Sequence, residues 1–111
     1  MNYIKRGTTP TINVKIDGLD FGEIQKVEFV FKYRASSTEP EICSKYYPGG
    51  GVSYDTSVPC FSIRFSDEET REFAPGSRVY MDTRITLVGG AIPMTNIAQF
   101  SVTDTLFGEV T

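Results

Sequence analysis

Cys43 and Cys60 are the two thiols of the chain, and a thiol attacks a substrate only as its thiolate, normally with a base beside it. The sequence has no histidine, which removes the usual base near neutral pH and the commonest zinc ligand together. A disulfide is the other use for two cysteines. Residues 42–47 and 60–65 read as the arms of a hairpin with a long tip at 48–59. With Tyr47 opposite Cys60, Cys43 faces Arg64 and lies about 13 Å from Cys60 along the strand direction. A bridge needs Cα atoms within about 7 Å. Two reduced, inert thiols are the expectation.

Asp67, Glu68, Glu69 and Glu72 bring carboxylates close together in sequence, the raw material of a calcium or magnesium site. Their spacing does not match an EF-hand loop. Ser66-Asp67-Glu68-Glu69 instead fits a capping box, and acidic residues at a helix start are favoured by the helix dipole. Paired carboxylates can hydrolyse glycosidic bonds, but no motif here assigns two of them to one site. Gly49-Gly50-Gly51 lacks the lysine and Ser/Thr of a phosphate-binding loop and reads as a flexible hairpin tip. No enzyme, cofactor or metal is expected. The neighbouring Tyr46, Tyr47 and Tyr54 are the candidate interaction surface, because tyrosine is enriched at protein interfaces.

The elements that position these residues are strands. Ile12, Val14 and Ile16 alternate with polar residues, and so do Val27, Phe29, Phe31 and Tyr33, the pattern of half-buried strands. Phe61, Ile63 and Phe65 form the inward row of a third strand. The longest runs from Arg78 to Val88, with Val79, Met81, Thr83, Ile85 and Leu87 on one side. Gly89-Gly90 marks a hairpin turn, and a return strand from about Thr95 to Thr103 turns Ala98, Phe100 and Val102 inward. A short helix spans Ser66 to about Phe73, and one helical turn falls near Glu23-Ile24. The expected core is Ile12, Val14, Val27, Phe29, Phe31, Phe61, Ile63, Ile85, Leu87 and Phe100. Six to eight strands separated by Gly/Pro/Asp turns imply an all-β, antiparallel β-sandwich with one short helix, as a single domain over residues 1–111. A partly open β-barrel is the alternative.

Charge and hydropathy bound the partners. Eleven Lys+Arg against fourteen Asp+Glu leave a net charge of −3, so no basic surplus is available for a phosphate backbone. Nucleic acid is not an expected partner. No window approaches the roughly 18 apolar residues of a membrane helix, and no secretion signal precedes Gly7-Thr8-Thr9-Pro10. The expectation is a protein without a membrane partner, made and kept in a cytoplasm.

Arg6-Gly7-Thr8-Thr9-Pro10-Thr11 is the distinctive run. It resembles the opening of small proteins encoded among the structural genes of phages and prophages of Gram-positive bacteria. The likeness continues through Asp20-Phe21, the Val27–Tyr33 strand, Ser66-Asp67-Glu68-Glu69-Thr70, Pro75-Gly76, Arg84 and Val102-Thr103-Asp104-Thr105-Leu106. It implies a β-sandwich similar to the amino-terminal domains of some siphophage baseplate proteins. The long segment 48–59 departs from the compact members of that group. The implied role is a virion structural or assembly protein of tail or baseplate, whose partners are other phage structural proteins and a second copy of itself. It would reside in the host cytoplasm during assembly and then in the virion. The alternative is a small phage-encoded binding protein that inhibits a host enzyme, its negative charge steering it to a basic target. Leu106, Phe107 and Val110 in the tail either cap an end of the core or meet a partner.

Overall fold

Val27, Phe29 and Phe31 are fully buried while the residues between them are not, and this period of two divides the molecule into layers. The computed structural model describes residues 2–16 and 18–104. In chain order these form β1 (Asn2–Lys5), β2 (Thr11–Val14), a 3-10 turn (Phe21–Glu23), β3 (Ile24–Lys32), β4 (Cys43–Tyr47), β5 (Val52–Asp55), β6 (Cys60–Arg64), α1 (Asp67–Arg71), β7 (Arg78–Leu87) and β8 (Ala98–Thr103). A five-stranded sheet, β1-β8-β7-β3-β4, packs against a three-stranded sheet, β2-β6-β5. The fold is therefore the expected β-sandwich. A parallel bridge between Tyr46 and Gly51 joins the two sheets along β4 and β5, so the sandwich curls toward a half-barrel on that flank.

Several sequence expectations change. Residues 42–47 and 60–65 are not arms of one hairpin: β4 pairs with β3, with Cys43 opposite Phe31, whereas β6 pairs with β5 and β2. The segment 48–59 is not one long loop, because it contains β5, whose Val52 is buried and whose Tyr54 shares that face. The three preceding glycines interrupt the alternation and hide this strand. The pairing is also not wholly antiparallel, since β1 lies parallel to β8 with Asn2 opposite Phe100.

Both turn motifs form. Ser66 Oγ accepts from Glu69 N–H at 3.2 Å, and Glu69 Oε1 accepts from Ser66 N–H at 2.9 Å, the reciprocal capping box. Gly90, at φ 88°, makes the turn after β7, where its N–H donates to Leu87 C=O at 2.8 Å. The return strand starts at Ala98 rather than Thr95, and it pairs with β7 only over Arg78–Met81.

The core sits between the sheets. Phe31 contacts the rings of Phe65, Phe73 and Phe100 at centroid distances of 5.2, 6.4 and 6.4 Å. Val27, Phe29, Phe31, Phe61, Ile63, Ile85 and Phe100 are buried as expected. Ile12, Val14 and Leu87 are only partly buried, packed against the margin of that cluster. Ile4 and Phe73 join it from segments too short to display a period.

Candidate interaction surfaces

The run at residues 6–11 is the corner by which the chain leaves β1 in one sheet and enters β2 in the other. Arg6 Nη1 pairs with Asp104 Oδ1 at 2.9 Å, and Nη2 donates to Arg71 C=O at 2.9 Å, satisfying a carbonyl in the last turn of α1. Gly7 N–H donates to Thr70 Oγ1 at 3.0 Å. That hydroxyl donates to Thr8 C=O at 2.9 Å, with Asp67 C=O 3.1 Å away. Phe65 N–H then donates to Pro10 C=O at 3.2 Å, where β2 begins. The other residues of the resemblance also hold the fold. Phe21 stacks on Tyr54 at 4.0 Å, Arg84 grips both carboxylate oxygens of Glu28 at 2.9 to 3.0 Å, and Gly76 N–H donates to Val102 C=O at 3.0 Å. Thr105 and Leu106 lie outside the described residues.

The acidic cluster is structural around one residue. Lys45 is on the inward row of β4, only 9% exposed, and its ammonium meets Glu69 Oε2 at 2.6 Å and the Phe65 ring at 5.2 Å. Gly51, at φ 87°, leaves room for it, because a Cβ there would lie 2.9 Å from Lys45 Cδ. Partial burial opposes ionisation of Glu69. The hydrogen bond from Lys45, the Ser66 amide and the Lys45 charge outweigh it and hold the carboxyl below its usual range. A carboxyl depressed by folding stabilises the protein above its unfolded value of 4.5 and loses that contribution as pH falls through the folded one. Glu69→Gln is therefore expected to flatten the fall in stability on acidification below about pH 4.5. Urea midpoints measured down the pH scale check it, and identical slopes for the two proteins would contradict it. Among the described residues, no group of three or more His, Cys, Asp or Glu could hold a metal ion.

Both cysteines are free, on strands of different sheets. Burial pushes the Cys43 thiol up to about 12, with the Lys45 charge opposing it only in part. At pH 8 almost no thiolate exists there, so alkylation of the native protein is expected to be far slower than that of an exposed cysteine. Mass spectrometry after iodoacetamide treatment reads this directly. Rapid labelling of Cys43 in the folded protein would show the thiol to be activated.

The three tyrosines do not share one surface. Tyr46 is exposed on the outer face of the five-stranded sheet, where its ring lies so close to Gly50 that a Cβ at that position would come within 2.3 Å of it. Tyr47 and Tyr54 face inward, with ring centroids 5.6 and 4.8 Å from that of Phe61. Alternation separates Tyr46 from Tyr47, a consequence of strand geometry that their adjacency in sequence conceals.

The exposed apolar side chains concentrate elsewhere. Val88, Ile92, Met94 and Ile97 are all exposed on the segment linking β7 to β8, with Met94 98% accessible. That segment flanks a groove of about 500 Å³ on the flank away from the β4–β5 seam. Ile16 and Leu19 line one wall, Ile85, Pro93 and Met94 the other, and Lys15 is the charged side chain among its lining. The sequence pattern put Val88 at the end of the 78–88 strand and Ile97 in a return strand from about Thr95, whereas β7 ends at Leu87 and β8 starts at Ala98, so both lie on the connecting segment.

The site and fold define a curled β-sandwich with an apolar loop beside an open flank. No family model and no curated protein matches the chain. Among solved structures it is similar to the extracellular domain of the voltage-gated sodium channel beta4 subunit, whose parallel homodimers are linked to cell–cell adhesion. That likeness has 17% identity and a TM-score of 0.42, and covers 94% of this chain and 90% of the other. The β-sandwich assignment rests on the two sheets described above. Among the described residues, no helix is long and apolar enough to cross a membrane.

Proposed function

We propose that this chain is a non-enzymatic structural or assembly protein of a phage or prophage, associated with the tail or baseplate and acting through protein–protein contact. The observation that carries the contact role is the apolar loop, with Val88, Ile92, Met94 and Ile97 all exposed within ten residues of chain. Four large apolar side chains exposed on one loop of a small domain support contact through that loop. The phage setting is supported by the resemblance at residues 6–11, whose side chains and backbone build the corner between the sheets. The protein accumulates in the host cytoplasm and docks on other structural proteins. Mass spectrometry of purified particles tests this, with a stoichiometric signal for the chain as the expected result. Its absence from particles, together with recovery of one stoichiometric host enzyme in a pull-down, would replace the structural role with that of an enzyme inhibitor.

A further inference from the structure

The apolar loop carries no charge of its own and has an opposite charge at each end. Residues 88–97 include no Asp, Glu, Lys or Arg, in a chain of which 23% is charged. The loop folds back along β7, held where Leu87 N–H donates to Ala91 C=O at 2.9 Å and Thr95 Oγ1 donates to Thr83 C=O. These bonds set the order of its exposed side chains, with Met94 near the level of Thr83, then Ile92, then Val88 at the turn. At the Thr83 end, Lys15 lines the same groove as Thr83, Met94 and Thr95. At the turn end, Val88 N–H donates to Glu23 C=O at 2.9 Å. From Thr83 to Val88 is five residues of extended chain, or roughly 17 Å. Lys15 and Glu23 are both exposed, and neither forms an ion pair among the described residues.

A surface with a base at one end, an acid at the other and apolar side chains between them complements itself when turned through half a circle. Such a rotation sets Lys15 of one copy against Glu23 of the other, twice over, and Met94 of each against Ile92 and Val88 of the other. We propose that two copies of the chain associate through this flank as an isologous dimer. This names the partner of the apolar loop, and it deepens the contact reading above and rests on it. Removing the exposed loop side chains from water drives the association. The two charge pairs at its rim fix the orientation more than they add affinity. Because both copies use the same surface, the contact closes at two.

Sedimentation and native mass spectrometry of the full chain at low salt, from low to high micromolar concentration, test the dimer. The wild type is expected to pass from monomer to dimer and to grow no further. Met94→Asp is expected to weaken the dimer about tenfold or more, since each dimer then holds two charges in its apolar centre. Lys15→Glu and Glu23→Lys are each expected to weaken it about tenfold, because each turns two attractions into two repulsions. The double variant Lys15→Glu/Glu23→Lys exchanges the two charges within one chain and should recover the dimer. An equimolar mixture of the two single variants should likewise give a heterodimer tighter than either homodimer. Loss of local structure at either position would not be repaired by the second substitution, and urea midpoints verify that every variant folds. A wild type that stays monomeric, assemblies that grow beyond two, a dimer indifferent to Met94→Asp, or a double variant no better than the singles would each overturn the contact. A monomeric chain that is nonetheless found in particles overturns the dimer and leaves the structural role standing, whereas a dimer with this charge dependence from a chain absent from particles does the reverse.

Discussion

Phe31→Ala is expected to destabilise the protein by about 3–5 kcal/mol, the cost of removing a buried aromatic ring whose neighbours can only partly close the cavity. Phe31 is fully buried, and its ring is surrounded by Phe65, Phe73 and Phe100, drawn from β8 and from both ends of the helical connection. The loss therefore falls at the point where both sheets and the helical connection meet. A domain of this size holds about 5–15 kcal/mol in total, so the variant sits near the threshold of unfolding. Urea denaturation reads the effect as a lower midpoint with an unchanged slope. Tyr46→Ala, on the outer face, should change stability by about 0.5 kcal/mol or less. A loss below about 1 kcal/mol for Phe31→Ala would place the centre of the core elsewhere.

Thr70→Val is expected to cost about 2 kcal/mol although the two side chains have nearly the same shape. Thr70 is fully buried, and its hydroxyl is the partner of both the Gly7 N–H and the Thr8 C=O. Valine leaves that donor and that acceptor without a partner in a part-buried corner, at about 1–3 kcal/mol for groups of this kind. Thr70→Ser restores the hydroxyl and should recover most of the stability, at the expense of one methyl group. Equal losses for valine and serine would assign the effect to packing and not to the corner's hydrogen bonds. Hydrogen exchange at Gly7 gives a second, local reading, since its amide should exchange faster in the valine variant alone.

Long strands were legible in the sequence because alternation over nine or ten residues leaves little choice of face. β3 and β7 came out with their inward rows intact, and the capping box at Ser66 placed the helix. The elements that were missed share a physical cause. β1 and β5 have four residues each, too few for a period, and β5 follows three glycines that read as a loop. Partner choice was also hidden. Strand pattern says which side chains point inward but not which sheet a strand joins, and that is why β4 and β6 were paired with each other. The candidate tyrosines suffered from a related ambiguity: adjacency in a strand puts Tyr46 and Tyr47 on opposite faces, and only the pairing with β3 tells which face is the core. Of the proposed contact surface little was readable. Val88, Ile92, Met94 and Ile97 have no common spacing, and their shared exposure on one loop shows only once β7 is seen to end at Leu87 and β8 to start at Ala98.

The parallel pairing of β1 with β8 has a consequence for how the chain is made. Among the described strands the first binds the last, Asn2 against Phe100 and Lys5 against Thr103, and the Arg6–Asp104 ion pair fastens the same junction. Among the described residues β1 has no other strand neighbour, so on a ribosome it waits without that partner until residue 103 has emerged. Closing so large a loop slows folding far more than it weakens the folded state. Ile4, which is buried in the folded molecule, is thus an apolar side chain that the nascent protein must leave uncovered until β8 has emerged.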